Sequence, residues 1–201
     1  MNGGRLIAFE GLDGCGKSTQ LERLAARLRA VGCDVVTTSE PTGFPSGQRI
    51  REMARSGVEL DPDEELRWFV EDRRVHVAEV IAPALRAGQI VLTDRYYLST
   101  VAYQGARGLD HEQILADSEA EFPVPDLVVL LEIDPQIGLD RVHARGAALE
   151  GVFEQREFLS RVASIFDALD CTYLERVPGE GEPSPIEAII AERVRDRLGL
   201  G

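Results

Sequence analysis

The run Gly11-Leu12-Asp13-Gly14-Cys15-Gly16-Lys17-Ser18-Thr19 places glycines, a lysine and hydroxyls at the spacing G-x-x-x-x-G-K-[ST]. Glycines allow a backbone to curl until successive amide N–H groups point inward. A helix that starts there adds its partial positive charge, a lysine can reach the outer phosphates, and a hydroxyl can ligate Mg²⁺. Lys17 is the only lysine among 22 basic residues, and a turn that merely joins a strand to a helix has no need of it. Gly11, Gly14, Cys15, Gly16, Lys17, Ser18 and Thr19 therefore read as a triphosphate cradle. Cys15, inside the loop and near positive charge, is expected to carry an acidified, oxidisable thiol.

A second chemical signal is Asp94-Arg95-Tyr96. A carboxylate there can hold Mg²⁺ or its waters, and an arginine can bridge two phosphates. Phe69 with Arg73, and Tyr103 with Gln104, supply an aromatic face and polar forks, which suit the stacking and edge bonding of a nucleobase. Trp68, Phe69 and Val70 also fit a core stripe of a long helix with Arg73 solvated beyond it. His76, His111 and His143 lack ligand-like spacing and read as surface or helix residues.

These groups need a frame. Strand-length apolar runs occur at Leu6 to Glu10, Asp34 to Thr38, Ile90 to Asp94, Leu127 to Ile133 and Thr172 to Val177. Between them lie helical patterns: Leu21, Leu24, Ala25 and Leu28 form one stripe, Asp61-Pro62-Asp63 opens a long helix to Arg86 that Pro83 should kink, and Asp134-Pro135 opens another. Ser184-Pro185 reads as an N-cap with proline in the first turn of a last helix stopping at Gly199. Alternating strands and helices predict an α/β fold: a five-stranded parallel sheet in a three-layer α/β/α sandwich, with ligands at the carboxyl ends of the strands. The cradle follows the first strand and Asp94 ends the third. Neither repeat nor linker divides residues 1–201, so one domain is expected.

A hydrophobic fraction of 44% suffices for one core, and the net charge of −13 argues against a nucleic-acid polymer as ligand. The three cysteines show no C-x-x-C pairing; Cys33 and Cys171 read as buried small hydrophobes. No basic leader or membrane-length apolar run is visible, so a cytoplasmic location is expected, with no membrane partner.

Over nearly its whole length the sequence resembles the thymidylate kinase (dTMP kinase) family. The resemblance rests on Phe9-Glu10-Gly11-Leu12-Asp13-Gly14 with the phosphate loop, Glu40-Pro41, Phe69 to Arg73, Asp94-Arg95-Tyr96 followed by Ser99, and Ala102-Tyr103-Gln104-Gly105 followed by Arg107-Gly108. It implies a P-loop core, a monophosphate-binding region near residues 39–73, a mobile lid near 145–154, and a homodimer. It also implies ATP as donor with Mg²⁺, held by Ser18 and Asp94, and thymidylate as acceptor, giving dTDP for dTTP synthesis. By the same resemblance Phe69 stacks on thymine, and Arg73, Gln104 and Thr100 contact its edge. Asp13 takes the 3′-hydroxyl, Arg95 and Arg51 the phosphate, and Tyr103 crowds the 2′ position; Glu40, Pro41 and Ser99 complete the acceptor set. The catalytic group is Lys17, Arg95, Asp94 and a lid arginine: Arg145, then Arg141 and Arg156.

Two departures from the family pattern stand out. Ser39 replaces an arginine often found before Glu40-Pro41, and Gly151-Val152-Phe153 replaces an Asp-Arg pair before Glu154. With Gly14 at the loop position where some members carry the catalytic arginine, the lid is expected to supply it. Two other readings remain open: a kinase of another nucleotide or deoxynucleoside, and a nucleotide-gated switch.

Overall fold

In the computed structural model, residues 3–144 and 152–200 are described, the side chains of 152–154 excepted. Five strands, β1 (Arg5–Gly11), β2 (Val35–Ser39), β3 (Ile90–Asp94), β4 (Leu127–Glu132) and β5 (Leu174–Pro178), form one sheet in the order β2-β3-β1-β4-β5. All four pairings are parallel. Each predicted strand is present, with ends displaced by up to two residues, within the ordinary fraying of such boundaries.

The pleat assigns the strand residues to two cores. Ile7 and Phe9 of β1 pack with Leu21, Leu24 and Leu28 of α1 (Lys17–Ala30) and Ile190 and Val194 of α9 (Pro183–Leu198). Leu6 and Ala8 face the other way, onto Leu98 and Val101 of α5 (Tyr97–Ala106) and Val162 and Phe166 of α8 (Val152–Ala168). Alternate burial of successive residues on both faces is what a sheet covered by two helical layers requires.

The long helix expected from Asp63 to Arg86 is divided. Asp61 caps α3 (Pro62–His76) by accepting from the Asp63 and Glu64 amides, acids fill its first turn, and it passes into a π-helical stretch at Val77–Ile81 before α4 (Ala82–Arg86). Pro83 lacks an N–H and its ring crowds the carbonyl four residues earlier. The wider π turn, in which the Ala82 amide reaches the Val77 carbonyl, accommodates this before the proline rather than at it. The last helix also starts earlier than its sequence signal, at Pro183 after Glu182, because Pro183 suits the first turn as well as Pro185 does. The helix expected at Asp134-Pro135 is α7 (Pro135–His143), its cap Asp134 accepting from the Gln136 amide, whereas α2 (Pro45–Ser56) and α6 (His111–Glu121) were not marked in the sequence. Cys33 and Cys171 are half-buried rather than buried.

Candidate active site

Because β1 and β3 are neighbours with Phe9 opposite Asp94, the segments that follow them leave the sheet side by side. The Arg95 amide continues the ladder to the Phe9 carbonyl at 2.9 Å. The glycine loop and the Asp94-Arg95 segment thus share one rim. Arg95 is the one non-glycine residue at positive φ (71°) among the described residues, a conformation that turns the chain sharply into α5.

In the loop, Gly11, Gly14 and Gly16 all take positive φ, which frees the backbone to wrap toward α1. Lys17 is buried, with Nζ donating to the carbonyls of Gly11 (3.1 Å) and Leu12 (2.9 Å). Ser18 Oγ, in the first turn of α1, donates to Asp94 Oδ2 at the end of β3 at 2.5 Å, so two hard oxygen groups stand side by side at the rim. Among the described residues no cluster of three His, Cys, Asp or Glu could hold a metal alone. Mg²⁺ does not need one: it commonly takes one or two protein oxygens and fills its shell with water and phosphate. Cys15 has its sulfur 3.7 Å from Lys17 Nζ but is packed in the core under the loop at 2% exposure, and that burial argues against the expected oxidisable thiol.

A cavity of about 240 Å³ lies beside the loop, bounded by Gly14, Gly16, Thr19, Gln20 and, across it, Arg141 and Gly181. Arg141 of α7 donates to the carbonyls of Gly14 and Gly179, both at 3.2 Å. The helix and the loop touch through glycines. A Cβ on Gly14 would sit 2.4 Å from the Gly138 carbonyl oxygen, and one on Gly138 would sit 2.7 Å from that of Asp13. No side chain, an arginine included, fits at position 14 unless α7 moves. Arg145 and the rest of the expected lid through Gly151 lie outside the described residues, as do the side chains of Val152, Phe153 and Glu154, whereas Arg156 is exposed on α8.

On the other side of Arg95 a cavity of about 410 Å³ opens between α2, α3 and α5. All eleven residues singled out for acceptor binding line it: Asp13, Glu40, Pro41 and Arg51 on one side, Phe69, Arg73 and Arg95 on another, and Ser99, Thr100, Tyr103 and Gln104 along α5. Ile50, Met53, Ala54 and Glu65, which no motif had marked, also line it, as does Tyr96 of the Asp94-Arg95-Tyr96 run. Phe69 is half-buried on the wall, not sealed in a core stripe.

The polar atoms of this wall are tightly organised. Arg73, only 1% exposed rather than solvated, donates Nε and Nη2 to Glu40 Oε2 at 2.9 and 2.6 Å, and Nη2 also to Thr100 Oγ1 at 2.8 Å. The other Glu40 oxygen meets His76 Nδ1 at 2.9 Å, and His76 Nε2 meets Thr38 Oγ1 at 2.7 Å. His76 is thus a fully buried network member, and its spacing to Glu40 was invisible without the fold. Arg95 donates to Asp13 Oδ1 (2.6 Å) and Ser99 Oγ (2.7 Å) and lies over the Tyr103 ring at 5.0 Å. The Arg95 guanidinium holds the Asp13 carboxyl below its usual range. Ser99 Oγ in turn bonds Glu10 Oε2, while Glu10 Oε1 accepts from the amides of Tyr96 (2.9 Å) and Ser99 (3.1 Å). Burial pushes the Glu10 carboxyl up to about 7. Arg51 spends its two terminal nitrogens on the Pro41 and Thr42 carbonyls. In this dense wall, Arg73 Nη1, Gln104 Oε1 and Tyr96 Oη are buried with no partner among the described residues.

The family model described as Thymidylate kinase matches residues 9–175, a span that contains the loop, the rim and every residue of the larger cavity. The chain belongs to the thymidylate kinase family. A protein named thymidylate kinase from Desulfotalea psychrophila is 46% identical over 176 residues, covering 88% of this chain and 87% of its own. Relatives of the same name from Xanthomonas euvesicatoria and Xanthomonas campestris are 43% and 40% identical, covering 98% and 99% of this chain and 87% and 88% of their own. Membership of the thymidylate kinase family makes the chain a transferase. No helix among the described residues is long and apolar enough to cross a membrane.

Proposed function

We propose that this chain transfers the γ-phosphoryl group of ATP to thymidylate, giving ADP and dTDP. The observation that carries the acceptor's identity is the pair of unpartnered buried atoms on the wall beside Phe69: a donor, Arg73 Nη1, and an acceptor, Gln104 Oε1. The edge of thymine presents the complementary pair, a carbonyl O4 next to N3–H, and an unpaired buried polar group favours a ligand that satisfies it.

In this reading Phe69 stacks on the base, Arg73 donates to O4 and Gln104 accepts from N3–H. Arg95 takes the acceptor phosphate, Asp13 the 3′-hydroxyl, and Tyr103 fills the space a ribose 2′-hydroxyl would need. Glu40 and Thr100, whose polar atoms are engaged with Arg73, act through it, and Ser99 acts through Arg95. Arg51, occupied by two carbonyls, shapes the wall at Pro41 and offers its charge to the phosphate at longer range.

The glycine loop holds the triphosphate through backbone amides, and Lys17 swings from the Gly11 and Leu12 carbonyls to the β/γ-phosphates. Ser18 and Asp94 would hold Mg²⁺, which when bound neutralises charge on the β- and γ-oxygens. Arg141 braces the loop at Gly14, so Arg145 is proposed as the arginine that reaches the transferring group. Attack is in line by an acceptor phosphate oxygen, already anionic at neutral pH, so no general base is needed. The chemistry then rests on positioning and on Lys17, Arg95 and the lid arginine. On the family alone the proposal extends to a cytoplasmic homodimer whose small-molecule partners are nucleotides.

The deciding experiment offers purified protein Mg-ATP with dTMP, dUMP, dCMP, dGMP, UMP or thymidine and follows ADP release. The expected order places dTMP first by a wide margin, and absence of dTMP turnover ends the proposal.

A further inference from the structure

An amide such as that of Gln104 is close to symmetric in shape, so by itself it would present oxygen or nitrogen to a base with equal ease. Something must choose. Gln104 Nε2 donates to Glu65 Oε1 at 3.1 Å, and Glu65 sits in the first turn of α3, buried at 8% exposure. The other Glu65 oxygen is taken by Arg107 Nη1, and Arg107 Nη2 is tied to the Leu60 carbonyl at 2.7 Å. A carboxylate clamped in this way offers only lone pairs, so the amide NH₂ must face it. The amide oxygen must then face away, where it is buried and unpartnered.

We propose that Glu65 is a positioning residue for base selection: by fixing which atom Gln104 presents, it makes the site accept a pyrimidine with a proton on N3 and refuse one with a lone pair there. This deepens the thymidylate reading and rests on it. Glu65 matches Glu40 in logic. Glu40 takes Nε and Nη2 of Arg73 and leaves Nη1 free, while Glu65 takes Nε2 of Gln104 and leaves Oε1 free. Two carboxylates, neither of them needed against the base, give direction to the two side chains that read its edge.

The test compares kcat/KM for dTMP and for 5-methyl-dCMP, nucleotides that differ only along that edge. Glu65→Gln can turn its own amide either way, which releases Gln104, so the dTMP preference should narrow by about tenfold, the worth of one mismatched hydrogen bond. Glu65→Ala, which removes the acceptor without adding a donor, should narrow it as well and answers the question if the first variant does not fold. In a Gln104→Leu background the Glu65 change should leave the ratio where it stands. Arg107→Met, which removes the ion pair but leaves Glu65 facing Gln104, should lower both kcat/KM values alike; this separates selection from structural damage. A folded Glu65→Gln or Glu65→Ala protein that retains the parent ratio overturns the proposal for Glu65 while leaving thymidylate turnover intact. Failure of the parent to use dTMP overturns the reading beneath it.

Discussion

The glycine-loop side and the Phe69 side of the rim, proposed as its donor and acceptor sides, are built in different materials. The donor side is mostly backbone: three glycines at positive φ, the amino end of α1 and a helix pressed onto the loop through Gly138. The acceptor side is side chains held by other side chains, with Glu40, Arg73 and His76 all below 8% exposure and mutually bonded. A backbone cradle survives the loss of any one side chain. A buried ion network does not, because removing one partner leaves charge unpaired where water cannot reach it. Substitutions on the two sides should therefore fail in different ways.

The largest expected effect is on the donor side and is chiefly chemical. Lys17→Ala should lower kcat by about a thousandfold, roughly 4 kcal/mol of transition-state stabilisation. Stability should fall by less, about 1–3 kcal/mol, since what Lys17 leaves unpartnered is two buried loop carbonyls and no buried charge. A kcat loss under about tenfold would break the contrast. On the acceptor side, Glu40→Ala strands Arg73 and His76 together and should cost about 3–5 kcal/mol of stability in denaturant titration. A merely local loss of dTMP affinity with unchanged stability would show that the network is functional ornament rather than framework.

Glu10 lies between the two sides, beneath the turn that carries Arg95, and it gives the comparison a pH axis. Burial comes first among the causes that raise its carboxyl from 4.5 to about 7; Ser99, Arg95 and the Tyr96 amide oppose it. With the folded value above the unfolded one, the native state keeps a proton that the unfolded chain has released. This contribution is full below pH 4.5, falls as pH rises through about 7, and is worth about 3 kcal/mol across the window. Denaturant titrations at pH 5 and pH 8 should show that loss in the parent and a much smaller one in Glu10→Gln. The window lies above the range in which Asp13 and Glu121, both shifted down, act in the opposite sense. Equal slopes in the two proteins would remove Glu10 as the source.

The same contrast explains what could be read from the sequence. The donor side was legible because its parts are contiguous: a strand, nine residues and a helix, with Lys17 marked by being the only lysine. The strands and their order of appearance were legible for the same reason. Phe69, Arg73, Tyr103 and Gln104 were singled out by residue type and family resemblance, and some of the residues bonded to them were not. Glu65 and His76 look like ordinary helix residues until β2, α3 and α5 converge; Glu10 looks like part of a strand-end motif until α5 lays its first amides on it. Glycine at position 138 gave no local signal either, because its reason is a carbonyl of residue 13 across the fold.

The smallest expected effect tests burial as the variable that matters. Asp72 and Glu71 are neighbours on α3, but Asp72 points inward and is 1% exposed, accepting from the Thr42 amide (2.7 Å), Thr42 Oγ1 (2.5 Å) and Ser46 Oγ (2.7 Å). Glu71 points outward to Arg49 at 2.8 Å, with its side chain 58% exposed and that of Arg49 41% exposed. Solvent screens the outer pair and two long side chains must be ordered to make it, so Glu71→Gln should change stability by less than about 0.5 kcal/mol. Arg49 also keeps its seat over the Trp68 ring at 4.0 Å without that partner. Asp72→Asn replaces one accepting oxygen by a donor among three donors, and should cost about 1–3 kcal/mol. If the two variants instead lost equal stability, the acceptor wall would owe its rigidity to charge at its surface as much as to hydrogen bonds in its interior.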